Sequence, residues 1–117
     1  MPGYFDGRIQ VQIGPVTITG GGTTSGVFTT QGLGLVGLQM PATFTGTTMS
    51  FLGSNDGGAT YLALYNTSGS ALSVTVAASR LILFTPGDLV GVQFIKLVSG
   101  STESSDRIIQ VITRTFV

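Results

Sequence analysis

Apolar and polar residues alternate with period two along much of the chain, in short runs rich in Val, Ile, Thr and Phe. The run Arg8-Ile9-Gln10-Val11-Gln12-Ile13 alternates without a fault and puts Ile9, Val11 and Ile13 on one face of a strand. Pro15 ends that strand or marks a sheet edge, and Val16 to Thr19 reads as a weaker one, stopped by Gly20-Gly21-Gly22. Further strands are expected at Leu35–Met40, Thr47–Leu52, Thr60–Tyr65, Leu72–Val76, Arg80–Phe84, Val90–Val98 and Arg107–Val117. Ser54-Asn55-Asp56-Gly57-Gly58 is a dense turn signal, so residues 47–65 read as a hairpin. No segment repeats apolar residues at helical spacing over three turns, which predicts little helix. Turn signals recur at the spacing of a β-sandwich or barrel. The expected fold is all-β, an antiparallel β-sandwich of jelly-roll type over residues 35–117.

The stretch from Gly20 to Gly34 is dominated by glycine and threonine, with Val27-Phe28 as its only bulky apolar pair before Leu33. Such composition favours a flexible or partner-ordered segment over a core strand. Residues 1–34 are therefore expected to form an extended N-terminal arm.

Composition sharpens this picture. Charged residues are only 9% of the chain, the net charge is zero, and mean hydropathy is +0.47. With 42% hydrophobic residues and no net charge, the chain is not of the disordered class. Five basic residues against five acidic ones leave no footprint for nucleic acid and no polybasic membrane patch. No apolar run approaches the ~20 residues of a spanning helix. The N-terminal residues lack the charged and apolar regions of a signal peptide, so none is expected. From Ile9 to Asn55 there is no charge at all. Exposed strand edges are ordinarily guarded by charges, so this half is expected to be covered in an assembly.

Candidate chemistry is sparse. With no His and no Cys, neither Ser-His-Asp nor Cys-His activation is available, nor are the usual zinc ligands. The acids are Asp6, Asp56, Asp88, Glu103 and Asp106. Asp56 and Asp88 lie next to glycine in turn contexts, while Glu103 and Asp106 share a Ser/Thr-rich loop. Gly32-Leu33-Gly34-Leu35-Val36-Gly37 matches a dinucleotide fingerprint letter for letter. It lacks the strand before it and the helix within it that would give the match meaning. Asn55-Asp56-Gly57 has oxygens for calcium but only one carboxylate, and Asn66-Thr67-Ser68 reads as a turn rather than a glycosylation site. No enzyme activity, cofactor or metal is expected. Ile9, Val11 and Ile13, with the arm pair Val27 and Phe28, are the candidate partner-contact residues.

Residues 35–117 also carry a familiar order of features. Val36-Gly-Leu-Gln-Met-Pro-Ala-Thr-Phe-Thr-Gly-Thr-Thr-Met-Ser-Phe51 precedes Ser54-Asn-Asp-Gly-Gly58 and Tyr61-Leu-Ala-Leu-Tyr65. Leu72-Ser-Val-Thr-Val76, Phe94-Ile-Lys-Leu-Val-Ser-Gly100 and Arg107-Ile-Ile-Gln-Val-Ile112 follow. This order resembles small virion proteins of tailed bacteriophages, notably the auxiliary head proteins that decorate or cement the capsid. The resemblance implies binding to a major capsid protein, a homo-oligomer with a trimer favoured, and a place on the virion surface. The same order is similar to carbohydrate-binding jelly-roll modules, which makes a receptor-binding part of a tail fibre or baseplate the alternative, with Tyr61 and Tyr65 as stacking platforms. A further head–tail structural subunit is a third reading.

Overall fold

The computed structural model describes residues 11–84, 89 and 91–115. They form an all-β structure, without helix, in nine strands: β1 (Val11–Ile18), β2 (Thr24–Thr29), β3 (Gly34–Gln39), β4 (Thr48–Ser54), β5 (Leu62–Ala63), β6 (Ser73–Thr75), β7 (Leu81–Leu83), β8 (Phe94–Ser99) and β9 (Arg107–Arg114). All pairings are antiparallel. The strands build one curled sheet, a half-barrel, in the order β5-β4-β8-β2-β1-β9-β3-β7, with β6 also on β4.

The longest ladder joins the two ends of the chain. β1 and β9 pair from Val11↔Arg114 to Ile18↔Arg107 without a register shift. Antiparallel partners point to the same side of a sheet. Val16 and Ile109 therefore face inward together, while Ile13 and Ile112 face outward together. By contrast, β1 and β2 meet only at Ile18↔Ser25.

The segment expected to be an arm differs from that expectation where it is described. Residues 11–34 supply β1 and β2, in the middle of the sheet order, and lead into β3. Two details let so glycine-rich a stretch form strand. At Ser25 and Gly26 the register of β2 shifts against β8, and the Ser25 hydroxyl accepts the Leu97 N–H at 2.9 Å in place of a ladder bond. Gln31 and Gly32 both adopt positive φ, and Leu33 N–H closes the turn on Thr30 O at 2.8 Å, a type I′ arrangement. The missing edge charges between Ile9 and Asn55 find their reason here too. In that stretch β3 and β4 are paired on both sides, β1 and β2 are laddered to β9 and β8 and meet each other at one residue pair, and the sheet ends in β5, β6 and β7, which are two or three residues long. Short edges are protected by their length.

The core lies inside the curl. Val16, Ile18, Leu35, Leu38, Met49, Phe51, Ile95, Leu97, Ile109 and Val111 are buried there, one face from each long strand. Phe84 meets Phe51 edge-on with ring centroids 5.7 Å apart. The hairpin expected over residues 47–65 is present as β4 and β5, with Leu52 opposite Ala63.

Leu38 is fully buried between Val111 of β9 and Ile82 of β7. Leu38→Ala is expected to lower the unfolding free energy by about 2–5 kcal/mol, read from the midpoint of a urea titration. A loss under about 0.5 kcal/mol would contradict this packing.

Candidate interaction surface

The acids come first, because any chemistry would depend on them. Glu103 is fully buried. One oxygen, Oε1, accepts Arg107 Nε at 2.8 Å, the Thr45 N–H at 3.1 Å and the Thr45 hydroxyl at 3.0 Å. The other, Oε2, accepts the Gly46 N–H at 3.1 Å and again the Thr45 hydroxyl at 3.0 Å. Its backbone exchanges hydrogen bonds with the β1–β2 turn, from Gly21 N–H to Glu103 O and from Glu103 N–H to Gly22 O. Asp106 Oδ1 accepts the Gly20 N–H at 2.8 Å. The 99–106 loop is thereby clasped to two turns far away in sequence. Burial pushes the Glu103 carboxyl upward, but the bonds from Arg107 and Thr45 outweigh it and hold the group below its ordinary value. A carboxylate with every lone pair engaged and no exposure is a structural staple, with nothing free for substrate.

The other polar motifs are likewise spent on turns. Asp56 Oδ1 accepts the Ser54 hydroxyl at 2.7 Å and the Thr60 N–H at 3.0 Å, which lowers its carboxyl from the usual range. Asn55 mimics a strand residue, accepting Gln93 N–H and donating to Gly91 O. Asn66 Oδ1 caps the N–H groups of Ser68 and Ser70. Gly37 of the glycine motif lies in β3, where a Cβ would stand 2.8 Å from Ile82 O. No cluster of three potential metal ligands occurs among the described residues. Asp6 and Asp88 lie outside them.

The outer side of β1, β9, β3 and β7 is different in kind. It presents Val11 and Ile13 from β1, Ile108 and Ile112 from β9, and Leu81 and Leu83 from β7. Leu83 is 70% exposed, Ile13 62%, Val11 61%, Leu81 61% and Ile108 54%. Gly37 has no side chain between Ile112 and Leu83, so both lie over it, within 3.2 Å of where a Cβ would be. The result is an outer side rich in exposed aliphatic side chains from β1, β9 and β7, which Thr17, Gln110 and Gln39 share. The one charge on this face among the described residues is Arg114, opposite Val11 at the rim, where its Nε donates to Thr115 O.

Of the residues expected to contact partners, Val11 and Ile13 are brought together here. Val27 is exposed on another part of the curl, opposite Lys96 of β8. Phe28 turns the other way, half-buried against the core opposite Ile95. Ile9 lies outside the described residues. Sequence reasoning missed Leu81, Leu83, Ile108 and Ile112. The signal was present in two runs, Leu81-Ile82-Leu83 and Ile108-Ile109, that are apolar on both faces of a strand.

Among the concave features, a cleft of about 270 Å³ is lined by Phe51, Leu72, Ser73, Val74, Leu83, Phe84 and Leu89, and a wider one of about 470 Å³ by Thr30, Gly32, Leu33, Asn55, Gly91, Val92 and Gln93. Neither is lined by an ionisable side chain. Lys96 Nζ sits 4.3 Å from the centre of the Tyr61 ring, over one of its faces, while Tyr65 is exposed. No protein-family model matches the chain, and no curated protein or solved structure does.

Removing the staple has a defined consequence. Glu103→Gln leaves Arg107 buried without its partner charge, and a loss of about 3 kcal/mol or more is expected in chemical denaturation. The pH dependence follows from the direction of the shift. Because the folded-state carboxyl titrates lower than the unfolded one, its contribution is complete above about pH 4.3 and disappears as pH falls through the depressed value. Glu103→Gln is therefore expected to flatten the fall in stability below that pH. An unchanged acid limb would contradict the role of Glu103.

Proposed function

We propose that the chain is a non-enzymatic assembly subunit that decorates or cements the capsid of a tailed bacteriophage. The observation that carries the binding part of this reading is the set of exposed aliphatic side chains on the outer side of β1, β9 and β7. An apolar patch of this kind on a protein with few charges marks a surface meant to be covered. The acids support the non-enzymatic part, since Glu103 and Asp56 are already engaged by neighbouring donors. The phage assignment itself rests on the order of features between Val36 and Ile112.

In this reading the body is a β-sandwich of jelly-roll type. Its two layers are β1-β9-β3-β7 and β2-β8-β4 with the β5 and β6 edges, joined at Ile18↔Ser25. The partner is a major capsid protein, and the subunit acts as an oligomer, for which the resemblance implies a trimer. Multiple weak apolar contacts, repeated across an oligomer, give strong retention on a lattice. The carbohydrate-binding alternative draws on exposed Tyr65, with Lys96 over one face of Tyr61.

Quantitative mass spectrometry of purified particles tests this directly. Hundreds of copies per virion are expected. A few to a few dozen copies would move the chain to the tail or fibre, and its absence from particles would end the proposal.

A further inference from the structure

We propose that Asp56–Gly57 is a latent site of main-chain isomerisation, and that the Ser54 hydroxyl holds it shut. The inference goes beyond the capsid reading and does not depend on it.

The chemistry starts from the residue pair. Glycine, without a Cβ, offers the least hindrance to attack by its own main-chain nitrogen, so an aspartate followed by glycine is the step most open to succinimide formation. Of the aspartates among the described residues, Asp56 and Asp106, Asp56 is the one that precedes glycine. In the reaction Gly57 N bonds to Asp56 Cγ, the nitrogen gives up its proton, and a carboxyl oxygen leaves as water. The five-membered ring then takes up water. Addition at Cγ restores aspartate. Addition at the main-chain carbonyl carbon breaks its bond to Gly57 N, so the chain now runs through Cβ and Cγ with its mass unchanged. Water, released in the first step and consumed in the second, is the sole co-reactant.

The turn exposes this step and depends on the glycine. Asp56 and Gly57 are both exposed, so water reaches them. Gly57 has φ of 77°, in the left-handed region where a residue with a Cβ is disfavoured. A bulkier neighbour that would slow the attack is therefore costly here, and protection has to come from elsewhere.

The surroundings of the carboxylate supply it. Oδ1 accepts the Ser54 hydroxyl at 2.7 Å and the Thr60 N–H at 3.0 Å. Both bonds favour the ionised carboxylate, which has no oxygen ready to leave as water, and they hold the group below its ordinary range. Ser54 is buried, and its Oγ also accepts the Gly58 N–H at 3.0 Å, so one hydroxyl ties down the residues on both sides of Gly57. The carboxyl must give up these bonds and gain a proton before Cγ can bond to Gly57 N. Beside it stands the brace from Asn55, which donates to Gly91 O at 2.7 Å and accepts the Gln93 N–H at 2.6 Å. One extra carbon in the main chain next to Asn55 would put that brace out of register with the segment leading into β8.

Isoaspartate at residue 56 of the full chain, read by mass spectrometry with electron-based fragmentation during long incubation at neutral pH, tests the proposal. A hydrogen bond to a charged group is worth about a factor of ten or more, so the folded chain is expected to react about tenfold more slowly than the chain held unfolded in guanidinium chloride. Ser54→Ala is expected to raise the folded rate by about the same factor while keeping the wild-type circular dichroism. Leu38→Ala, which weakens the core away from the turn, is expected to leave the rate at Asp56 near wild type while it stays folded. Equal rates in folded and unfolded wild-type chain would overturn the proposal, whether or not Ser54→Ala folds. So would a folded Ser54→Ala that reacts at the wild-type rate. A Leu38→Ala rate raised as far as that of Ser54→Ala would also overturn it, by tracing the protection to global folding and not to the hydroxyl.

Discussion

The antiparallel ladder between β1 and β9 is the interaction on which the rest of this structure depends. It sits in the middle of the strand order and spans eight residue pairs, whereas the next contact along the curl, β1 with β2, is a single pair. Without it, β9, β3 and β7 have no connection through hydrogen-bonded strands to the remaining sheet. It also joins segments nearly a hundred residues apart, so its loop-closure cost must be met before its contacts reward folding. The Glu103 staple lies at the start of this ladder. By holding Arg107 and the β1–β2 turn together, it fixes where β9 begins relative to Ile18.

That ladder explains why both faces of the terminal strands are apolar. Val16, Ile18, Ile109 and Val111 point into the curl and form the core. Val11, Ile13, Ile108 and Ile112 point out. A half-barrel has one buried interior, so aliphatic residues on its exterior gain nothing from the fold of a single chain. They cost solubility unless something covers them. With charged residues at 9% and no net charge, repulsion between molecules does little to compensate.

Much of the strand pattern was legible in the sequence, because alternation and turn residues act locally. The β4–β5 hairpin and the strands near 73–75, 81–83, 94–99 and 107–114 fall where alternation put them. The segment from Gly20 to Gly34 was not legible. Its glycine content argues for disorder, and what makes it strand is tertiary: the Ser25 hydroxyl bonding to Leu97 N–H, and pairing to β8 across some seventy residues. The candidate surface was half legible. Alternation placed Val11 and Ile13 on one face, but only the register with β9 shows that this face is the outer one and that Leu81 and Leu83 share it. Glu103 read only as an acid in a Ser/Thr-rich loop, because two of its partners, Thr45 and Gly46, lie more than fifty residues away.

Function in this account comes from a surface, with the chain's few ionisable groups committed to holding its shape. Residue-level covalent labelling, read by mass spectrometry, tests that claim most directly by comparing the protein in its native assembly with the same protein in dilute solution. The account predicts that Ile13, Leu83 and Ile108 lose most of their labelling on assembly, while Leu62, exposed on β5 at the far end of the strand order, keeps its own. Equal labelling of Ile13, Leu83 and Ile108 in both states would contradict it.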